Sequence, residues 1–120
     1  MSLLFLYNGG GFSAVPSPLR TYCVEIDSRA PRHYAHAVGA TLDYTFDWTA
    51  WVPEGDSIAS LVVSCPLGFI AARVQAGDLM TAVVSVPGVA AGTEVALVCV
   101  ATSTVGRIDR REILLEVLDL

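Results

Sequence analysis

From Thr41 to Leu118 the chain runs in short apolar/polar alternations, and glycine or proline closes most of them. That pattern limits the fold more than any other feature. Alternation with a period of two puts one face of an extended strand inward and the other outward, whereas a helix repeats about every 3.6 residues. In Thr41–Trp48, Leu42, Tyr44 and Phe46 take one face and Asp43, Thr45 and Asp47 the other. Pro53-Glu54-Gly55-Asp56 is a turn, and the β-branched run Ser57–Cys65 is stopped by Pro66 and Gly68. Phe69–Gln75, Leu79–Val86, Thr93–Thr104 and Arg107–Leu118 follow, separated by Ala76-Gly77-Asp78, Pro87-Gly88 and Val105-Gly106. In the last run Ile113, Leu115 and Val117 face one way, and Glu112, Leu114 and Glu116 the other. Short strands at intervals of roughly ten residues, bounded by turn formers, predict an all-β sandwich.

The first forty residues follow another rule. Asn8-Gly9-Gly10-Gly11 is a turn, and Pro16, Pro18 and Pro31 exclude a long helix. Leu3–Tyr7 and Thr21–Ile26 are short strand-forming pieces between these breaks, and Arg29, Arg32, His33, Tyr34 and His36 form the locally basic and aromatic stretch. We therefore divide the chain into residues 1–40, an irregular N-terminal arm or extra edge strands, and residues 41–120, the sandwich. Leu3–Tyr7, with Leu4 and Leu6 as interface candidates, is expected to add a strand to another subunit or to a sheet edge.

Composition narrows the partners. Apolar residues make up 53% of the chain and charged residues 16%, against about 25% charged in ordinary soluble domains. So little polar cover points to surfaces hidden by assembly. The net charge is −5 and lysine is absent, which argues against tracking along nucleic acid. The longest apolar run, Val95–Ala101, is far short of the ~20 residues a helix needs to cross a bilayer, so no membrane is expected as partner. The start lacks the basic region of a signal peptide. Cys23, Cys65 and Cys99 are odd in number and lack metal-ligand spacing, which suits free thiols in a protein folded in a reducing compartment.

No catalytic, cofactor or metal site assembles on paper. Asp43 and Asp47 share a strand face about 13 Å apart at ~3.3 Å per residue, too far for the paired carboxylates of a glycosidase at about 5–9.5 Å. Asp56 is a turn residue. His33 and His36 suit zinc only if a helix or tight turn presents them with further ligands, which the sequence does not suggest. There is no nucleophile elbow and no phosphate loop. Cys65 and Cys99 fall on the second and penultimate predicted strands, yet both tryptophans precede them, against an inter-sheet disulfide. Arg107, Asp109 and Arg111 share one face of the last strand, either as an ion-pair ladder or as a dock for a partner subunit. Trp48 and Trp51, three apart, are expected on opposite faces of a strand end, one in the core and Trp51 turned to a neighbour. A carbohydrate-binding module that stacks sugars on Tyr44, Trp48 and Trp51 is an alternative, weakened by that opposed placement.

The order of these pieces is similar to a known family. Asp43-Tyr44, Asp47-Trp48 and Trp51 lead, then Gly55-Asp56, Ile58 and Ser60, then Ala91-Gly92-Thr93 before a long strand, then Gly106-Arg107, Asp109 and Arg111 in the final hairpin. Over about residues 42–118 this resembles the small virion proteins of tailed bacteriophages described as fiber–tail adaptors. The resemblance implies an immunoglobulin-like β-sandwich with a structural role and no catalysis or cofactor. It implies other virion proteins as partners: tail or portal-ring subunits and fibers, met as a symmetric homo-oligomeric ring in the virion after folding in the host cytoplasm. Trp51, Arg107, Asp109 and Arg111, with Leu4 and Leu6, are the candidate interface residues. A capsid decoration protein or head-fiber base on the same sandwich is the alternative.

Overall fold

A computed structural model describes residues 17–28 and 30–120. The candidates Leu4 and Leu6, and the strand expected over Leu3–Tyr7, lie outside them. Eight strands follow a short 3-10 turn at Pro18–Arg20: β1 (Thr21–Cys23), β2 (Arg32–Ala37), β3 (Thr41–Asp47), β4 (Ile58–Ser64), β5 (Phe69–Ala76), β6 (Leu79–Ser85), β7 (Glu94–Ser103) and β8 (Ile108–Leu118). One sheet has the order β1-β3-β6-β5 and the other β2-β8-β7-β4. The described residues are all-β, as the alternation predicts, and strands β3 to β8 lie within a residue or two of the six runs read from it.

The two sheets share one core. The first gives it Tyr22, Tyr44, Phe46, Met80, Ala82 and Val84, and the second Leu61, Val63, Val95, Leu97, Cys99, Ala101, Ile113, Leu115 and Val117. Alternation along β8 is kept through its whole length, with Arg111, Ile113, Leu115 and Val117 buried and Arg110 and Glu116 exposed. Within the buried layer Tyr44 meets Tyr34 edge-on at 5.7 Å, and its hydroxyl bonds Nδ1 of the fully buried His36 at 2.8 Å. The other His36 nitrogen reaches the Ala40 carbonyl at 2.8 Å, so this buried polar side chain is satisfied on both sides. Burial pushes the Tyr44 hydroxyl up to about 12.

Two strands come from the segment before residue 41. β1 pairs parallel to β3, and β2 parallel to β8, so each sheet gains one edge strand there. β2 lacks a clear apolar alternation, because its inward residues are Tyr34 and His36 and its burial is partial. Arg20 seals the stretch of β3 beyond β1: its Nε and Nη2 reach the Asp43 carbonyl and carboxylate, each at 2.8 Å. Asp43 is thereby an ion-pair partner at the sheet edge, and Asp47 accepts the Thr49 N–H at 3.0 Å. The far edges are protected differently. β4 and β5 each carry a register shift, between Ile58 and Ser60 and between Ile70 and Ala72, and Arg73 Nε donates to the Val63 carbonyl at 3.3 Å. Bulges and capped carbonyls blunt pairing with a foreign strand.

All three cysteines are free thiols. Cys99 lies on β7, and Cys65 directly follows β4, its neighbour in the same sheet. No bond between them would link the two sheets. Burial pushes the Cys99 thiol up to about 12 against a smaller opposing effect of the Trp48 indole, which leaves it un-ionised and unreactive at neutral pH.

Candidate functional site

At one end of the two sheets the turn after β3, the turn before β4 and the start of β8 converge. Trp48 N donates to the carbonyl of Asp78, the residue just before β6, at 2.9 Å, and Trp51 N donates to the Trp48 carbonyl at 3.0 Å and closes a turn. This turn carries Trp51 off the strand. The two indoles therefore do not point to opposite faces, as expected for an ideal strand, but meet edge-on with centroids 5.1 Å apart. Trp48 is 0% and Trp51 3% exposed. Trp51 is thus not turned out to a neighbour, and neither tryptophan is free to stack on a sugar.

Trp51 is held by the three residues expected to share a face of the last strand. Its Nε1 donates to Asp109 Oδ2 at 3.2 Å, and the Arg107 guanidinium carbon sits 4.5 Å from its ring centroid, a cation–π arrangement. Arg111 donates to the same Asp109 oxygen from Nε at 3.2 Å and Nη2 at 3.0 Å, and from Nη1 to the Ser28 carbonyl at 2.6 Å. Arg111 is 3% exposed. A charge so deeply placed is tolerable only when its donors are used, and Asp109 and the Ser28 carbonyl use them.

Asp56 is the member that sequence reading placed in a plain turn. Gly55 precedes it with φ 88°, a left-handed conformation that glycine adopts without strain. Asp56 Oδ1 then accepts Ser57 N at 2.8 Å, Thr104 Oγ1 at 3.0 Å and Val105 N at 3.2 Å, clamping the β7–β8 turn. Its Oδ2 lies 3.7 Å from Arg107 Nη1. Desolvation opposes the charge, but hydrogen bonds from Ser103, Ser57, Thr104 and Val105 outweigh it and hold the carboxyl below its usual range. Gly55-Asp56, Trp51 and Arg107-x-Asp109-x-Arg111, scattered over the sequence, are one network. A Gly-Asp turn before a strand was the available signal for Asp56. Nothing in the sequence pointed to the Ser28 carbonyl.

Beside this network lies an open depression of about 400 Å³ lined by Ile26, Trp51, Arg107, Ile108 and Asp109. Ile26 is 49% and Ile108 69% exposed. The geometry offers no paired carboxylates or activated nucleophile here among the described residues: Asp109 is bonded to Trp51 and Arg111, and Asp56 takes three donors on Oδ1 and sets Oδ2 3.7 Å from Arg107. What it presents outward is an apolar rim around the part-exposed Arg107.

The model of the family described as podophage GP4 fiber-tail adaptor protein gp77 matches residues 37–116. The chain belongs to that family. The match runs from the end of β2 to near the end of β8 and takes in every residue of the network except Ser28. No curated protein matches the chain. Fiber–tail adaptors are structural proteins of the phage particle, and the resemblance read from the tryptophan, Gly-Asp and Gly-Arg-x-Asp-x-Arg pieces is to this family.

Proposed function

We propose that this chain is a non-enzymatic component of a podophage virion that joins tail or portal-ring subunits to fibers, in several copies arranged as a symmetric ring. Its two sheets would form an immunoglobulin-like sandwich. The family match over residues 37–116 carries the reading. The site supports it, since the polar residues that looked most like chemistry are bound to one another and hold three turns together. In this reading Trp51, Asp109 and Arg111 would support the partner interface from beneath, while Arg107 and the Ile26 and Ile108 rim would form its surface.

The outer face of the second sheet supports assembly as well. Val62 and Val100 pair across β4 and β7, Ala96 and Leu114 across β7 and β8, where a solvated sheet would carry polar side chains. Val62 is 60% exposed. Leu3–Tyr7, with Leu4 and Leu6, would add a strand to another subunit or to a sheet edge. Quantifying the chain in purified particles against the portal protein tests the reading. A few to a few dozen copies, retained on isolated tails, is the expected result. Hundreds of copies on capsids would instead make it a decoration protein.

A further inference from the structure

β8 carries a second charged group at its other end, away from the network. The β7–β8 register sets Glu94 directly opposite Glu116. Like charges in directly opposed positions destabilise a sheet, and the chain has no lysine to place between them. Among the described residues the ion-pair partner of both is His33, on the adjacent strand β2. Its Nδ1 lies 3.5 Å from Glu116 Oε2 and 3.8 Å from Glu94 Oε2. All three donor atoms lie within 4.8 Å of one another.

Those spacings are close to what a metal ion requires. Two ligands held tetrahedrally at ~2.0–2.1 Å stand about 3.3–3.4 Å apart, so the His33–Glu116 pair is nearly in place, and glutamate torsions supply the rest. The three residues stand on consecutive strands of one sheet, not on loops. Bonds from Val117 N to the Thr93 carbonyl at 3.0 Å and from Gly92 N to the Val117 carbonyl at 2.7 Å carry the pairing past the site. A rigid platform limits the search to side-chain torsions. One imidazole nitrogen with two carboxylates suits zinc or a neighbouring first-row ion better than magnesium or calcium, which prefer oxygen alone. The side chains are about half exposed, 48% for His33 and 53% for each glutamate, which leaves a coordination position open to water.

We propose that His33, Glu94 and Glu116 form a surface site for a first-row divalent cation that neutralises the opposed glutamates and ties β2 to β7 and β8. The register that sets the two glutamates opposite one another also brings all three donors within 4.8 Å, and His33 is the ion-pair partner they share. Calorimetric titration of the full-length protein with zinc chloride and with nickel chloride tests it, alongside amide spectra of the same samples. Saturable uptake of one ion per chain is expected, with amide shifts centred on β2, β7 and β8 and no response to magnesium. His33→Ala and Glu116→Gln should each weaken uptake about tenfold or more while leaving the fold unchanged, and Cys23→Ser should not affect it. No saturable uptake at millimolar metal, or uptake undiminished in His33→Ala, would overturn the proposal and leave His33 as a simple ion-pair partner.

Discussion

The two charged groups on β8 are built from similar side chains and do opposite things. At the start of the strand Asp109 and Arg111 face inward, where Trp51, the Ser28 carbonyl and one another use their hydrogen-bonding capacity. Near its end Glu116 faces outward, opposite another glutamate, with the His33 imidazole 3.5 Å away. Parity along the strand separates them: odd positions from 109 to 117 point to the core and even ones to solvent. A buried ion pair whose donors are all spent resists replacement of either partner, because the survivor is left charged and unpaired. An exposed group of the same type contributes little to stability and remains available to a ligand.

The sharpest way to break this contrast is Asp109→Ala. It strands Arg111 in the interior and removes the Trp51 acceptor, and should cost about 3–5 kcal/mol in urea unfolding. A cost below about 1 kcal/mol would show that the network is ornamental. Trp51→Phe keeps most of the packing but loses the N–H to Asp109, and about 1–2 kcal/mol is expected by the same measurement. Asp56→Asn refines the picture through pH. The folded carboxyl titrates below its usual value, so its contribution is complete above the unfolded carboxylate range near pH ~4 and disappears as pH falls through the folded value. The stability gap between parent and variant should narrow on acidification below about pH 4; a gap that widens would contradict the sign. The smallest effect belongs to Glu116→Gln in metal-free buffer, within about 0.5 kcal/mol and on the stabilising side if any, since it relieves a like-charge pair.

The strands from β3 onward were legible because Leu42, Tyr44 and Phe46, or Ile113, Leu115 and Val117, alternate against a polar face and end at glycine or proline. β2 was not, because Tyr34 and His36 occupy its inward positions and a histidine bonded to Tyr44 looks like any other polar residue until the fold brings the two together. Arg107, Asp109 and Arg111 were expected to share a face turned outward, as an ion-pair ladder or a dock, yet Arg111 shares the parity of Ile113, Leu115 and Val117 and is buried with them. The inward placement of this face depends on Trp51, and Trp51 was placed by strand parity that does not apply once the chain turns at Trp48. The Glu94, Glu116 and His33 group depends wholly on register between three strands, which no local pattern encodes.

Cryo-electron microscopy of the assembled particle tests most directly whether these residues serve an adaptor from within. The expected map shows the chain in a ring on the tail, with the Ile26 and Ile108 rim or the Val62 and Val100 face against a neighbour and with Trp51 and Arg111 still enclosed by their own chain. A capsid-lattice position, or Trp51 drawn out to contact another subunit, would contradict it.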